Sequence, residues 1–218
     1  MLKDDQIVWA IKEMEKEMGP VGPSLDSRTP FQYLVSVILS AQATDVSVNK
    51  VTPNLFGRYP EPKDLMDANV EDVEAIIKSV GLFHNKAKNI IKTAKIVHEE
   101  LDDVVPTTRA GIMALPGAGR KTANVVLSDV FEQPTFAVDT HVSAISKRMH
   151  FIDQRATPIQ VEKKIVSVME PEELHRAHHT MIEYGRKYSM KLAPEQETNS
   201  LIQECDRLNE QNYLLDNK

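Results

Sequence analysis

The stretch from Leu115 to Val142, LPGAGRKTANVVLSDVFEQPTFAVDTHV, places a lysine just inside one helix start and an aspartate eighteen residues later at the start of another. Pro116-Gly117-Ala118-Gly119 reads as a turn, and Ala123, Val126, Leu127 and Val130 then recur at i, i+3, i+4, i+7, the period of a helix with one apolar face. Gly117 and Gly119 would let a partner approach the backbone closely, and the N–H groups at the helix start attract an anion such as a phosphate. A Gly-x-Gly turn is also an ordinary helix cap, and the two readings stay open at this level. Lys121 lies off the apolar face, where the helix dipole and the adjacent Arg120 disfavour its charge; partial burial would add to this. Such a lysine can act as a neutral amine nucleophile, or it can be a solvated side chain or a plain phosphate contact. Asp139 precedes Thr140, Val142, Ile145 and Met149 and reads as a helix N-cap. A capping carboxylate held ionised by backbone N–H groups suits the stabilisation of a developing positive charge better than strong base catalysis.

These residues need elements to carry them, and the periodicity supplies helices almost throughout. Lys3 to Met18 has Ile7, Ala10, Ile11 and Met14 on one face, with Gly19-Pro20 as the stop. Pro30 opens a strongly apolar run, Phe31, Leu34, Val35, Ile38 and Leu39, which predicts a buried helix; Ser40 to Asp45 breaks it and caps the next. Val70 to Val80 and Lys86 to Leu101 follow, with Gly81-Leu82-Phe83 between them, and no segment reads as a strand. Leu82 in this turn is either tucked against its own loop or exposed as an apolar wedge able to enter an unstacked base step. Beyond Asp139, further helices are expected around Thr140 to Met149, Pro158 to Met169 and Glu172 to Tyr184. In the last, His175, His178 and His179 have a spacing that could gather imidazoles around a metal, but no fourth ligand follows in a recognisable pattern, and packed histidines are the expected case.

The chain has 218 residues with 41% hydrophobic content, enough for one large or two small domains. Nothing in it reads as a signal peptide or a long apolar run, and a single cysteine, Cys205, excludes an intramolecular disulfide and suits a reducing cytoplasm. The net charge of −6 argues against nucleic acid as a partner until it is located. Met1 to Glu17 carries three basic and five acidic residues, and Glu195 to Lys218 two basic and six acidic, so the ends account for all of it. The body is neutral, and Ala75 to His98 holds Lys78, Lys86, Lys88, Lys92 and Lys95 without an acid, a basic face or a solvated helix surface.

LPGAGRKTANVVL followed by FAVDTHV, together with SAQATDVSVNKV from Ser40 and VGLFHNKAKNI from Val80, resembles the endonuclease III family of helix-hairpin-helix DNA glycosylases, in the family's order and spacing from about Pro30 to Arg186. The resemblance implies an all-α fold of two helical lobes: residues 22–130 with the hairpin at about 107–130, and residues 1–21 packed with 132–218, the active-site cleft lying between the lobes. It implies Lys121 as the nucleophile and Asp139 as its acidic partner. Expected DNA contacts are Gln42 and Leu82, which would fill the gap left by an extruded nucleotide, and Gly117, Gly119 and Arg120 of the hairpin. Lys86 and Lys88 of the basic face, and His141 beside Asp139, complete the set. The implied activity is base-excision repair by a bifunctional glycosylase and abasic-site lyase, acting on oxidised pyrimidines in double-stranded DNA as a monomer in a bacterial or archaeal cytoplasm. A non-catalytic binder of damaged or bent duplex is the alternative.

The C-terminal segment, about 187–218, departs from the family pattern. Many members hold a [4Fe–4S] cluster with cysteines spaced C-x6-C-x2-C-x5-C after a Gly-Arg pair. Gly185-Arg186 is present, but the four positions are Ser189, Gln196, Asn199 and Cys205. One thiol cannot hold such a cluster, so no metal or other cofactor is expected. Leu201, Ile202, Leu208, Tyr213 and Leu214 are expected to form a substitute helix packed on the domain. Ala144 stands where some relatives have a basic residue, which bears on phosphate contacts and substrate choice.

Overall fold

The structure, a computed structural model, describes residues 1–188 and 199–217. Among the described residues it is all-α with no strand, as the periodicity predicts. Two compact units form, Ser24–Gln133 and a discontinuous one made of Met1–Pro23 with Pro134–Lys218.

The chain opens with α1 (Asp4–Met18) of the discontinuous unit, whose Ile7, Ala10, Ile11 and Met14 are buried on the expected face. The central element of the other unit is α2 (Pro30–Ser40). Thr29 caps it, Pro30 fills the first helical position, and Phe31 through Leu39 are all buried. Burial of each large apolar side chain contributes about 1.5–3 kcal/mol, so a helix apolar on every side must sit at a centre. Against it pack α3 (Asp45–Arg58), capped by Thr44, α6 (Phe83–Leu101) and α8 (Arg120–Phe131). The short α4 (Pro62–Met66), which the sequence reading passed over, and α5 (Val70–Ile77) lie on α6, while α7 (Arg109–Met113) packs on α8.

The discontinuous unit resumes with α9 (Thr140–Arg148), α10 (Pro158–Val168), a 3-10 turn at Pro171–Glu173, α11 (Leu174–Tyr188) and α12 (Ser200–Asp216). Its core joins α1 residues to Phe136, Val142, Ile145, Met149, Phe151, Met181, Tyr184, Ile202 and Cys205. Arg176 on α11 reaches Glu15 of α1 at 3.0 Å, and Lys12 of α1 pairs with Glu173. The substitute helix at the C-terminus therefore exists, with Leu201 and Ile202 buried and Leu208 partly so. Tyr213 and Leu214, expected to pack, are instead 67% and 61% exposed, because Asn212, seven residues after Cys205, takes the inward place on this turn and leaves its two successors off the buried stripe.

Gly185 has a steric reason to be glycine. A Cβ there would lie 2.8 Å from the His141 carbonyl oxygen, so α11 and α9 meet backbone to backbone. Gly185→Ala is expected to lower stability in urea unfolding by about 1–3 kcal/mol, the usual cost of overpacking against a backbone atom that cannot swing away.

Candidate active site

Lys121 is the second residue of α8 and is exposed, while Thr122 through Ser128 behind it are buried. The partial burial that would disfavour its charge is not found. Two contacts hold this helix and a third holds the turn before it. Tyr33 of α2 donates its phenol to Asp129 in the third turn, and burial followed by the Asp129 carboxylate pushes the Tyr33 hydroxyl well above the usual tyrosine range. Arg109 Nε of α7 donates to Asn124 Oδ1 at 2.8 Å, and Thr93 of α6 donates to the Pro116 carbonyl at 3.0 Å. The first turn, by contrast, starts from Gly119, which has no side chain to cap it.

The two hairpin glycines differ. Gly117 has φ +80°, in the left-handed region, and a Cβ on it would come within 3.0 Å of Asn89 Nδ2 and 3.1 Å of Ile38 Cγ2. Its lack of a side chain is used up by the turn and by packing on α6 and α2. Gly119 has φ −91°, which any residue adopts, and nothing lies within 4 Å of a Cβ built on it.

The loops carrying Gln42 and Leu82 lie side by side. The Gln42 carbonyl is 3.7 Å from the position a Gly81 Cβ would take, and both Gln42 (φ 54°) and Leu82 (φ 60°) are left-handed although neither is glycine. Holding a branched side chain there costs about 1–2 kcal/mol. Leu82 is 57% exposed, so of the two readings of this turn the exposed one holds. It is also the N-cap residue of α6 and gives that helix no side-chain cap. Thus α6 and α8, alone among the helices bordering these loops, begin without one; α2, α3, α5 and α7 have Thr29, Thr44, Asn69 and Thr108 in that place.

The basic face is smaller than its sequence implies. Lys78, Lys88, Lys92 and Lys95 are exposed, but Lys86 is only 5% exposed, and its Nζ has no hydrogen-bond partner among the described residues. It points inward because it shares the stripe of Ile90, Thr93 and Val97, and burial lowers its proton affinity. Helical spacing from Ile90 was the signal that could have shown this. Glu74, just before the acid-free run, takes up His84 at 2.8 Å.

Asp139 caps α9 as expected, its Oδ1 accepting the Val142 N–H at 2.8 Å. His141, partly exposed, follows in the first turn, and its Nδ1 is buried with no partner among the described residues. Farther along the chain, His178 is set edge-on against Phe136 with ring centres 5.6 Å apart, and His175 and His179 face each other at 4.8 Å.

The residues at the cluster positions do not fit an iron–sulfur centre. Ser189 and Gln196 lie outside the described residues. Asn199 is committed elsewhere, its Oδ1 accepting the Ile202 N–H at 2.9 Å and the Tyr184 hydroxyl at 3.0 Å. Cys205 is fully buried in the apolar core, where burial pushes its thiol up to about 12, so it is not a ready thiolate ligand.

A helical hairpin ending in a lysine-bearing helix, followed by an aspartate-capped one, defines a class of DNA repair protein. The family described as "HhH-GPD superfamily base excision DNA repair protein" matches residues 35–171. Endonuclease III of Bacillus subtilis (strain 168) is 41% identical over 194 residues, 89% of each chain, and that of Escherichia coli (strain K12) is 46% identical over 162 residues, 74% of this chain and 76% of its own. A trapped endonuclease III–DNA covalent intermediate superposes with a TM-score of 0.89 at 41% identity, covering 92% of this chain and 94% of its own. A non-covalent endonuclease III–DNA complex gives 0.91 at 39% identity, covering 97% and 99%. The chain belongs to the endonuclease III family of the HhH-GPD superfamily. It is a DNA glycosylase of base-excision repair. No helix among the described residues is long and apolar enough to cross a membrane.

Replacing the buried, unpartnered ammonium by an apolar chain of similar length removes a desolvation cost. Lys86→Met is therefore expected to leave stability at pH 7 unchanged or to raise it by about 1 kcal/mol in urea unfolding. The folded-state value of Lys86 lies below its ordinary 10.5, so between the two the unfolded chain holds the extra proton. Native stability should rise with pH through that alkaline window relative to the variant, which lacks the group.

Proposed function

We propose that this enzyme is a bifunctional glycosylase and abasic-site lyase in which Lys121 is the nucleophile and Asp139 the carboxylate that stabilises positive charge on the sugar. One observation carries the reading: α8 is held by Tyr33 on Asp129 and by Arg109 on Asn124, while Gly119 at its start supplies no side-chain cap and Lys121 in its first turn is exposed. The trapped covalent intermediate of an endonuclease III, at 41% identity, supports it.

A phosphate docks at the start of α8, where Gly119 has no steric or conformational reason of its own to be glycine and the helix dipole favours an anion. Gln42 and Leu82, exposed on adjoining strained loops, enter the space left in the base stack. Arg120, Lys88 and His141 contribute to holding the duplex, and Gly117 serves chiefly to shape the hairpin. Lys86, whose Nζ is buried, is not part of this exposed face.

The Lys121 nitrogen attacks the sugar C1′ through its lone pair as the C1′–N bond breaks, and the base leaves with the electron pair of that bond. Asp139 stabilises the cationic sugar, the nitrogen loses a proton, and the C1′–O4′ bond then opens, its electron pair going to O4′, which takes up a proton as the C1′=N Schiff base forms. The Schiff base makes the neighbouring C2′ proton acidic; its removal expels the 3′ phosphate by β-elimination and nicks the strand. The substrates proposed are oxidised pyrimidines and abasic sites, with a site of action at DNA in the cytoplasm of a bacterium or archaeon.

Borohydride trapping on duplexes carrying thymine glycol, an abasic site or no lesion tests the assignment. Covalent adducts are expected on both lesions and none with Lys121→Ala, whose cleavage rate should fall at least about a hundredfold. An adduct on the abasic site alone would reduce the activity to a lyase, and adducts surviving in the variant would move the nucleophile elsewhere. For the hairpin, Gly119→Ala is expected to weaken duplex binding about tenfold in fluorescence anisotropy while changing stability by less than about 1 kcal/mol. Gly117→Ala should instead destabilise the fold by about 2 kcal/mol.

A further inference from the structure

In the discontinuous unit, α12 occupies the stretch of chain that starts at the third cluster position, Asn199, and contains the fourth, Cys205. Neither residue is arranged as a ligand. Cys205 is a small apolar plug in the core, and the residue after it, Asp206, lies between Arg148 and His150. Its two carboxylate oxygens receive the Arg148 guanidinium at 2.7 and 3.0 Å, and Oδ1 also meets His150 Nε2 at 2.7 Å. Such fork-on-fork pairing of guanidinium and carboxylate fixes orientation as well as distance. Arg148 is the last residue of α9, the helix that Asp139 caps at its other end. His150 is itself tied to the chain start, since its carbonyl accepts the Leu2 N–H at 2.9 Å.

The second attachment is farther along the same helix. Asn212, 4% exposed, donates to the Met1 carbonyl at 3.0 Å and to Gln6 Oε1 at 2.8 Å. The first is Asn199, which caps α12 and accepts the Tyr184 hydroxyl of α11. Asp206 lies between these two anchors and joins α12 to the end of α9.

We propose that α12 is a metal-free clasp, with Asp206 as its central positioning residue, that holds the end of α9 and the start of the chain where cluster-bearing relatives rely on a metal-bound loop. Folding and activity are then independent of iron. Asp206 acts through Arg148 and His150 on α9 and touches no substrate.

The full-length protein, expressed with ample iron, should contain no stoichiometric iron and show no absorption band near 400 nm. Asp206→Ala should lower Tm by roughly 3–6 °C, and Arg148→Ala similarly. The double variant should fall no further than the weaker single one, because the two groups form one unit. Asp206→Asn keeps the shape and should lose part of this, so the proposal stays measurable if the alanine variant folds poorly. Hydrogen exchange should then quicken in residues 200–216, at the chain start and in the last turn of α9, and Asp206→Glu should restore part of the protection. One cluster of iron per chain, an unchanged Tm in Asp206→Ala, or additive losses in the double variant would overturn it.

Discussion

The constraint on which this structure turns is that α8 must be immobile while the residue at its start offers no cap. A helix start carries N–H groups that the helix itself cannot satisfy, and most helices give them to a capping side chain. Here Thr29, Thr44, Asn69 and Thr108 do so for neighbouring helices, whereas Gly119 offers nothing. A start left uncapped would fray unless the rest of the helix were held. The apolar surface of α2 supplies that hold, with Tyr33 bonded to Asp129 and Asn124 bonded to Arg109 farther along. The first turn of α6 is uncapped in the same way, and its packing on α2 and on the Pro116-Gly117 turn holds it too.

The helix after it is solved in the opposite sense. Asp139 keeps its carboxylate at the start of α9 by bonding to Val142, so the cap that stabilises the helix also fixes the group assigned to charge stabilisation. An aspartate placed in this way needs no separate framework to orient it. The glycine start favours an incoming anion, and the aspartate start brings its own. The difference between these two helix beginnings is thus a difference in what each can do to a ligand.

Much of this was legible because helices announce themselves locally. The apolar spacing of α1, α2 and α8, the Asp139 cap and the Gly-rich turn all lie within a few residues of one another in sequence, and the structure agrees with each. The inward turn of Lys86 was legible as well, on the stripe of Ile90 and Val97, but counting charges along the run concealed it. Other features had no local signal. Left-handed Gln42 and Leu82 look like any loop residues, since only tertiary contacts can hold a non-glycine residue there. The Arg148–Asp206 pair spans 58 positions, and the packing of Gly185 on His141 depends on two helices far apart in sequence. Tyr213 and Leu214 are exposed for a related reason: the inward place on their turn is taken by a polar residue, Asn212, whose partners at Met1 and Gln6 lie more than 200 positions away.

The C-terminal region shows how a fold can do without a metal centre. A four-cysteine cluster is an all-or-none device, since one missing thiolate leaves a coordination site open and removes the reason to keep the others. The contacts of α12 are instead distributed, with an apolar patch around Ile202 and Cys205, a capping asparagine, one ion pair and one buried amide. Each is modest alone and replaceable by degrees, so such a clasp can be built up residue by residue. Its reach follows from where it grips. The nine residues of α9 span only about 13 Å, and a helix that short, packed on α11 through Gly185, moves as one piece. Restraint at Arg148 is therefore restraint at Asp139.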